Sequence, residues 1–92
     1  MANASPKVIE SDYAQAPGET LAEELDARGM TQKELAEAMG RPAKVVSEII
    51  RGKKAITPET AIQLEGALGI SALFWVRHQG HYDLARARAA MR

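Results

Sequence analysis

Between residues 29 and 71 the chain repeatedly closes one helix and opens another. Gly29 is followed by Thr31, Gly40 by Pro42, Gly52 by Thr57-Pro58 and Gly69 by Ser71. Glycine closes a helix because it takes a left-handed conformation at no steric cost. Threonine and serine open one by accepting an orphan amide, and proline suits a first turn whose amide has no partner. A chain punctuated this closely can build only short helices with tight connections. Thr31-Gln32-Lys33-Glu34 reads as a capping box: the Thr31 hydroxyl accepts from the Glu34 amide, and the Glu34 carboxylate reaches back.

The apolar spacing between these signals is helical throughout. Pro17-Gly18 opens a first helix whose stripe is Leu21, Ala22 and Leu25, with Arg28 placing a cation at its C-terminus and Gly29 stopping it. A second helix carries Leu35, Ala36 and Met39. A third is expected from about Pro42 to Arg51, with Pro42 in its first turn and Val46, Ile49 and Ile50 on its apolar face. The fourth, from Thr57 to Gly69, turns Leu64 and Leu68 inward. Ser71 caps a fifth that carries Leu73, Phe74, Trp75 and Val76, weakens at Gly80 and continues through Tyr82 and Leu84. No stretch alternates as a strand would. The expectation is an all-α fold of five helices in one domain, residues 17–84. A flexible N-terminal tail, 1–16, precedes it, and a helical extension or tail, 85–92, follows. Phe74 and Trp75 are expected to close the small core or to form a dimer contact.

Twelve basic and twelve acidic side chains give zero formal net charge, which removes the simplest argument for a polyanion partner, an overall basic protein. The charges are nevertheless sorted. Residues 1–40 carry three basic and eight acidic side chains, residues 41–54 five and one, and residues 55–92 four and three. The basic block is Arg41, Lys44, Arg51, Lys53 and Lys54 against Glu48. An asymmetry of this kind points to a polyanion bound at one place. Glu48 also stands four residues from Lys44, the spacing of an intrahelical ion pair.

The second and third helices, joined around Gly40, have the form of a helix-turn-helix. Ala36 supplies the small residue where the helices cross. Val46 and Ile49 bury one face of the second member, leaving Ala43, Lys44, Ser47, Glu48 and Arg51 on the other. Nothing in the chain has the spacing of a nucleophile elbow, a phosphate loop or paired catalytic carboxylates, so it is not expected to be an enzyme or to hold a cofactor. His78, His81 and Asp83 do not make a metal site, since two histidines fall short of a ligand set. The chain has no cysteine, which fits a reducing cytoplasm, and no signal peptide or membrane-spanning stretch is expected.

The span TQKELAEAMGRPAKVVSEIIRG, residues 31–52, resembles the lambda-repressor-like (XRE, Cro/C1-type) helix-turn-helix. Over residues 17–84 the succession PGETLAEEL, GMTQKELAEAMG, VVSEIIRGKKAITPETAIQLEGALGI, FW and YDL is similar to the HigA family of antitoxins. The resemblance implies a homodimer that binds an inverted-repeat operator in double-stranded DNA, represses its own promoter and neutralises a HigB-type mRNA-cleaving toxin. It implies a phosphate contact for Gln32 and major-groove positions for Ala43, Lys44, Ser47 and Glu48. Arg51, Lys53 and Lys54 match the family's basic stretch beside the backbone. Relatives often carry Ser-Arg-Gln-Thr where this chain has Pro42-Ala43-Lys44-Val45, and Arg41 replaces an apolar turn residue. Alanine cannot make a bidentate contact to guanine, so Lys44, Ser47 and Arg41 are expected to read or position instead. Two other readings share these residues: a stand-alone helix-turn-helix regulator, and the N-terminal part of a longer protein with a zinc-peptidase-like domain. This chain ends too early to hold that domain and lacks a His-Glu-x-x-His signature.

Overall fold

A computed structural model describes residues 14–92 of the chain. Five helices follow one another: α1 (Pro17–Arg28), α2 (Gln32–Met39), α3 (Ala43–Ile50), α4 (Pro58–Leu68) and α5 (Ala72–Ala90). Among the described residues there is no strand. The expected flexible tail lies largely in residues 1–13, outside those described. No helix among the described residues is long and apolar enough to cross a membrane.

Local chemistry sets the helix ends. Thr31 forms the full capping box with Glu34, its hydroxyl accepting from the Glu34 amide at 3.0 Å and its own amide donating to the carboxylate at 2.8 Å. Thr57 and Ser71 cap α4 and α5 through the amides of Thr60 and Phe74. Gly29, Gly40 and Gly69 close α1, α2 and α4 in the left-handed region. Three expectations need correction. Pro42 is the residue before α3, not a member of its first turn: its ψ of 147° is extended, and its carbonyl accepts from the Val45 amide to start the helix. The helix also stops at Ile50, with Arg51 as its C-terminal cap. Gly80 does not weaken α5, which runs unbroken through it and across the 84/85 boundary to Ala90. Alanine, leucine and arginine, all good helix formers, fill most of the last two turns.

The core is one cluster to which every helix contributes. Leu21 and Leu25 of α1 meet Leu35, Ala36 and Met39 of α2, Val46 and Ile49 of α3, and Ala61, Leu64 and Leu68 of α4. Trp75 of α5 closes it, fully buried, while Phe74 stays exposed and meets the indole edge-on at 5.1 Å. The core reading therefore holds for Trp75 and not for its neighbour. Arg28 does more than complement its own helix: its guanidinium reaches the Leu68 carbonyl at 3.1 Å, satisfying an acceptor at the end of α4.

Of the glycines, Gly18 has the tightest surroundings. A Cβ placed there would sit 2.1 Å from the Ile49 carbonyl oxygen and 2.8 Å from that of Ile50. The first turn of α1 is thus pressed on the last turn of α3, backbone to backbone, and only glycine fits. Gly80 has open space around it. Substitution at the two glycines should therefore have opposite signs. In urea unfolding, Gly18→Ala should cost about 1–3 kcal/mol despite alanine's better helix propensity. Gly80→Ala should add about 0.5–1 kcal/mol.

Candidate nucleic-acid interface

α3 crosses α2 after a connection of three residues, Gly40, Arg41 and Pro42. Val46 and Ile49 face the core and are essentially unexposed, which fixes the rotation of the helix. The opposite side of α3 then presents Ala43, Lys44, Ser47, Glu48 and Arg51 together, as their spacing requires. Ala43, Lys44 and Arg51 are exposed, and Ser47 and Glu48 are half-buried. Gln32, the first residue of α2, is exposed and shares a shallow cleft with Ile50, so it stands beside the end of α3.

Beyond α3 the chain arches over to α4, and both ends of the arch are fastened. The Glu48 carbonyl accepts from the amides of Lys53 at 2.8 Å and Lys54 at 3.2 Å. Gly52, at φ 77°, makes the left-handed turn that brings those amides back. At the far end Ile56 is buried in the core, and its amide donates to Gln79 Oε1 of α5 at 2.8 Å. The side chains of Lys53 and Lys54 are exposed at the first of these anchors.

Two alternatives left open by the sequence narrow here. Lys44 and Glu48 make no ion pair; the pair formed at that spacing among the described residues is Arg28 with Glu24, on α1. Lys44, Lys53 and Lys54 form no ion pair with a carboxylate of the described chain. Arg41 is half-buried, and its guanidinium donates to Gln63 Oε1 of α4 at 2.7 Å. It pins the turn before α3 to the neighbouring helix, a positioning role. His78 bonds the Thr20 hydroxyl and lines a groove of about 500 Å³ between α1 and α5, with Phe74, Arg77 and His81. Among the described residues no three His, Cys, Asp or Glu side chains gather as a metal site would need.

Sequence reasoning missed Gln63, Gln79 and the close approach at Gly18. Gln63 and Gln79 act on groups 22 and 23 residues away in the chain, so no local pattern marks them. Gly18 was legible only as punctuation beside Pro17.

Comparison with known proteins places this arrangement. A family model described as helix-turn-helix matches residues 21–75. An uncharacterized HTH-type transcriptional regulator of Escherichia coli (strain K12), YddM, is 37% identical over 71 residues, 77% of this chain and 76% of that protein. The structure of the Pseudomonas aeruginosa antitoxin HigA with the higBA promoter superposes with a TM-score of 0.81 at 35% identity, covering 85% of this chain and 87% of that one. An addiction module antidote protein of a HigA family from Coxiella burnetii does so with a TM-score of 0.75 at 36% identity, covering 79% and 80%.

The Arg41–Gln63 contact can be tested independently of any ligand. A double-mutant cycle of Arg41→Ala and Gln63→Ala, read by denaturant unfolding, should give a coupling of about 1 kcal/mol. A coupling indistinguishable from zero would return Arg41 to the solvent-facing set.

Proposed function

As the chain belongs to the helix-turn-helix family, and within it to the HigA-type antitoxins, we propose that it is a DNA-binding antitoxin of a toxin–antitoxin module. It represses its own promoter by binding an inverted-repeat operator as a homodimer, and it neutralises a HigB-type mRNA-cleaving toxin. It is a binding protein, not an enzyme.

The observation that carries the DNA part is the set of exposed cations Lys44, Lys53 and Lys54, without ion pairs in the described chain, on the outer side of α3 and its arch. A helix of this size fits the major groove with its outer face toward the bases, while cations beside it contact phosphates. In this reading Lys44, Ser47 and Ala43 face base edges. Ala43 offers only a methyl group, suited to the methyl of thymine. Gln32, Arg51, Lys53 and Lys54 hold the backbone. Glu48 lends the carbonyl that holds the arch, and Arg41 steadies the turn.

The homodimer rests on kinship and on an exposed apolar stripe. Leu73, Val76 and Leu84 of α5 are 56%, 38% and 49% exposed and follow one side of the helix with Gly80. A second copy seated there would bury it and set two recognition helices at a fixed spacing. The toxin part rests on kinship with the HigA antitoxins. Similarity to a transcriptional regulator favours, as a second reading, a stand-alone repressor. Co-expression with the protein encoded next to its gene separates the two, because an antitoxin abolishes its neighbour's mRNA cleavage and a stand-alone regulator has no such neighbour.

In gel-shift titrations at several salt concentrations, Lys53→Ala and Lys54→Ala should weaken binding to the chain's own upstream DNA and to a scrambled duplex alike. Each should lower the salt slope by about 0.9. Lys44→Ala should instead change the ranking of base-pair variants, and an equal loss on every sequence would contradict its groove role. The double variant Leu73→Glu/Leu84→Glu should sediment as a monomer and lose cooperative operator binding. An unchanged sedimentation coefficient would remove α5 from the dimer interface.

A further inference from the structure

We propose that Gln79 is a positioning residue for DNA binding: it holds the basic arch at the height from which Lys53 and Lys54 reach the phosphates. The proposal rests on the DNA-binding reading above. Gln79 lies on α5, outside the helix-turn-helix itself, and is assigned no contact with nucleic acid.

Three observations carry it. Ile56 is buried, so its amide cannot turn to water, and the acceptor it has is Gln79 Oε1 at 2.8 Å. The side-chain amide of Gln79 is itself oriented, because its Nε2 donates to Asp83 Oδ1, one turn along α5, at 2.9 Å. The arch's other end is fixed by the Glu48 carbonyl, which takes both lysine amides. The arch is therefore a short span between two anchors. Loss of the second leaves a buried amide unpaired, a state the chain relieves by lifting residues 54–56 toward solvent. Held at the Glu48 end alone, the two lysines then no longer keep a fixed height, and the ordering cost is met on binding. The bond also ties the DNA-facing arch to α5, the helix that carries the exposed apolar stripe.

The test uses the full chain in four forms: wild type, Gln79→Ala, Gln79→Glu and Gln79→Glu/Asp83→Asn. Gln79→Glu keeps an acceptor for Ile56 but sets two carboxylates side by side. The double variant restores the pair with donor and acceptor exchanged, since Asp83→Asn supplies a side-chain amide donor where the carboxylate had accepted. Binding to its own upstream DNA and to a scrambled duplex is measured against salt, and amide exchange of Ile56 is followed in the free protein. Gln79→Ala should lose about tenfold in affinity on both duplexes, with a salt slope about 1 smaller in magnitude and faster exchange at Ile56. Gln79→Glu/Asp83→Asn should recover the slope and most of the affinity relative to Gln79→Glu. If Gln79→Ala folds and binds both duplexes with the wild-type slope, the proposal is overturned. If Gln79→Ala does not fold, the comparison of Gln79→Glu with Gln79→Glu/Asp83→Asn decides it, and equal slopes for those two overturn it. Failure of the wild type to bind either duplex would instead overturn the DNA-binding reading on which the proposal rests.

Discussion

The backbone contact between Gly18 and the last turn of α3 is the constraint on which the rest of the structure depends. A side chain at residue 18 would collide with two carbonyls, so α1 can press its first turn directly onto α3 only because none is there. With α1 that close, Leu21 and Leu25 reach the common core, and Val46 and Ile49 are turned into it. Burying those two decides which side of α3 faces outward. The turn before the helix is pinned by Arg41 to Gln63, and the arch after it by Ile56 to Gln79. α3 is thus held at its start, along its length and beyond its end, by three different kinds of contact. A rigid presentation of this sort favours specific recognition, because little order remains to be imposed on binding.

The electrostatics follow from the same placement. A chain with no net charge has little long-range attraction for a polyanion. Its cations have to be gathered to matter. Four of the five basic residues between 41 and 54 end on or beside the outer face of α3, while the fifth, Arg41, is drawn toward α4. The acidic excess lies in the first forty residues, away from that block in sequence. In the proposed homodimer, two such faces double the phosphates neutralised and offset the weak non-specific attraction.

Much of the fold was legible in the sequence because it is written locally. The capping box at Thr31, the caps at Thr57 and Ser71 and the glycines that end α1, α2 and α4 each act within a few residues. The apolar periodicity gave the inward faces for the same reason. Errors arose where a residue has two local readings. Pro42 suits either the first turn of a helix or the residue before it, and the extended ψ decides. Gly80 reads as a weak point until the helix formers around it are weighed. The long-range hydrogen bonds were illegible. Gln63 and Gln79 look like ordinary polar positions until the fold brings Arg41 and the Ile56 amide to them. Arg28 was assigned to its own helix end because the carbonyl it also serves, Leu68, lies forty residues away. The candidate site residues were marked by face, by charge and, for Gln32, by the family resemblance. Their supports come from other elements.

The central claim is that the outer face of α3 and its arch form the DNA-binding surface. Backbone amide chemical-shift mapping, during titration with a duplex of the chain's own upstream DNA, tests it most directly. The account predicts that the largest shifts fall at Gln32, at residues 43–48 and at residues 51–54, with α5 beyond Tyr82 little changed. Shifts concentrated on the exposed side of α5, with α3 and the arch unmoved, would contradict it.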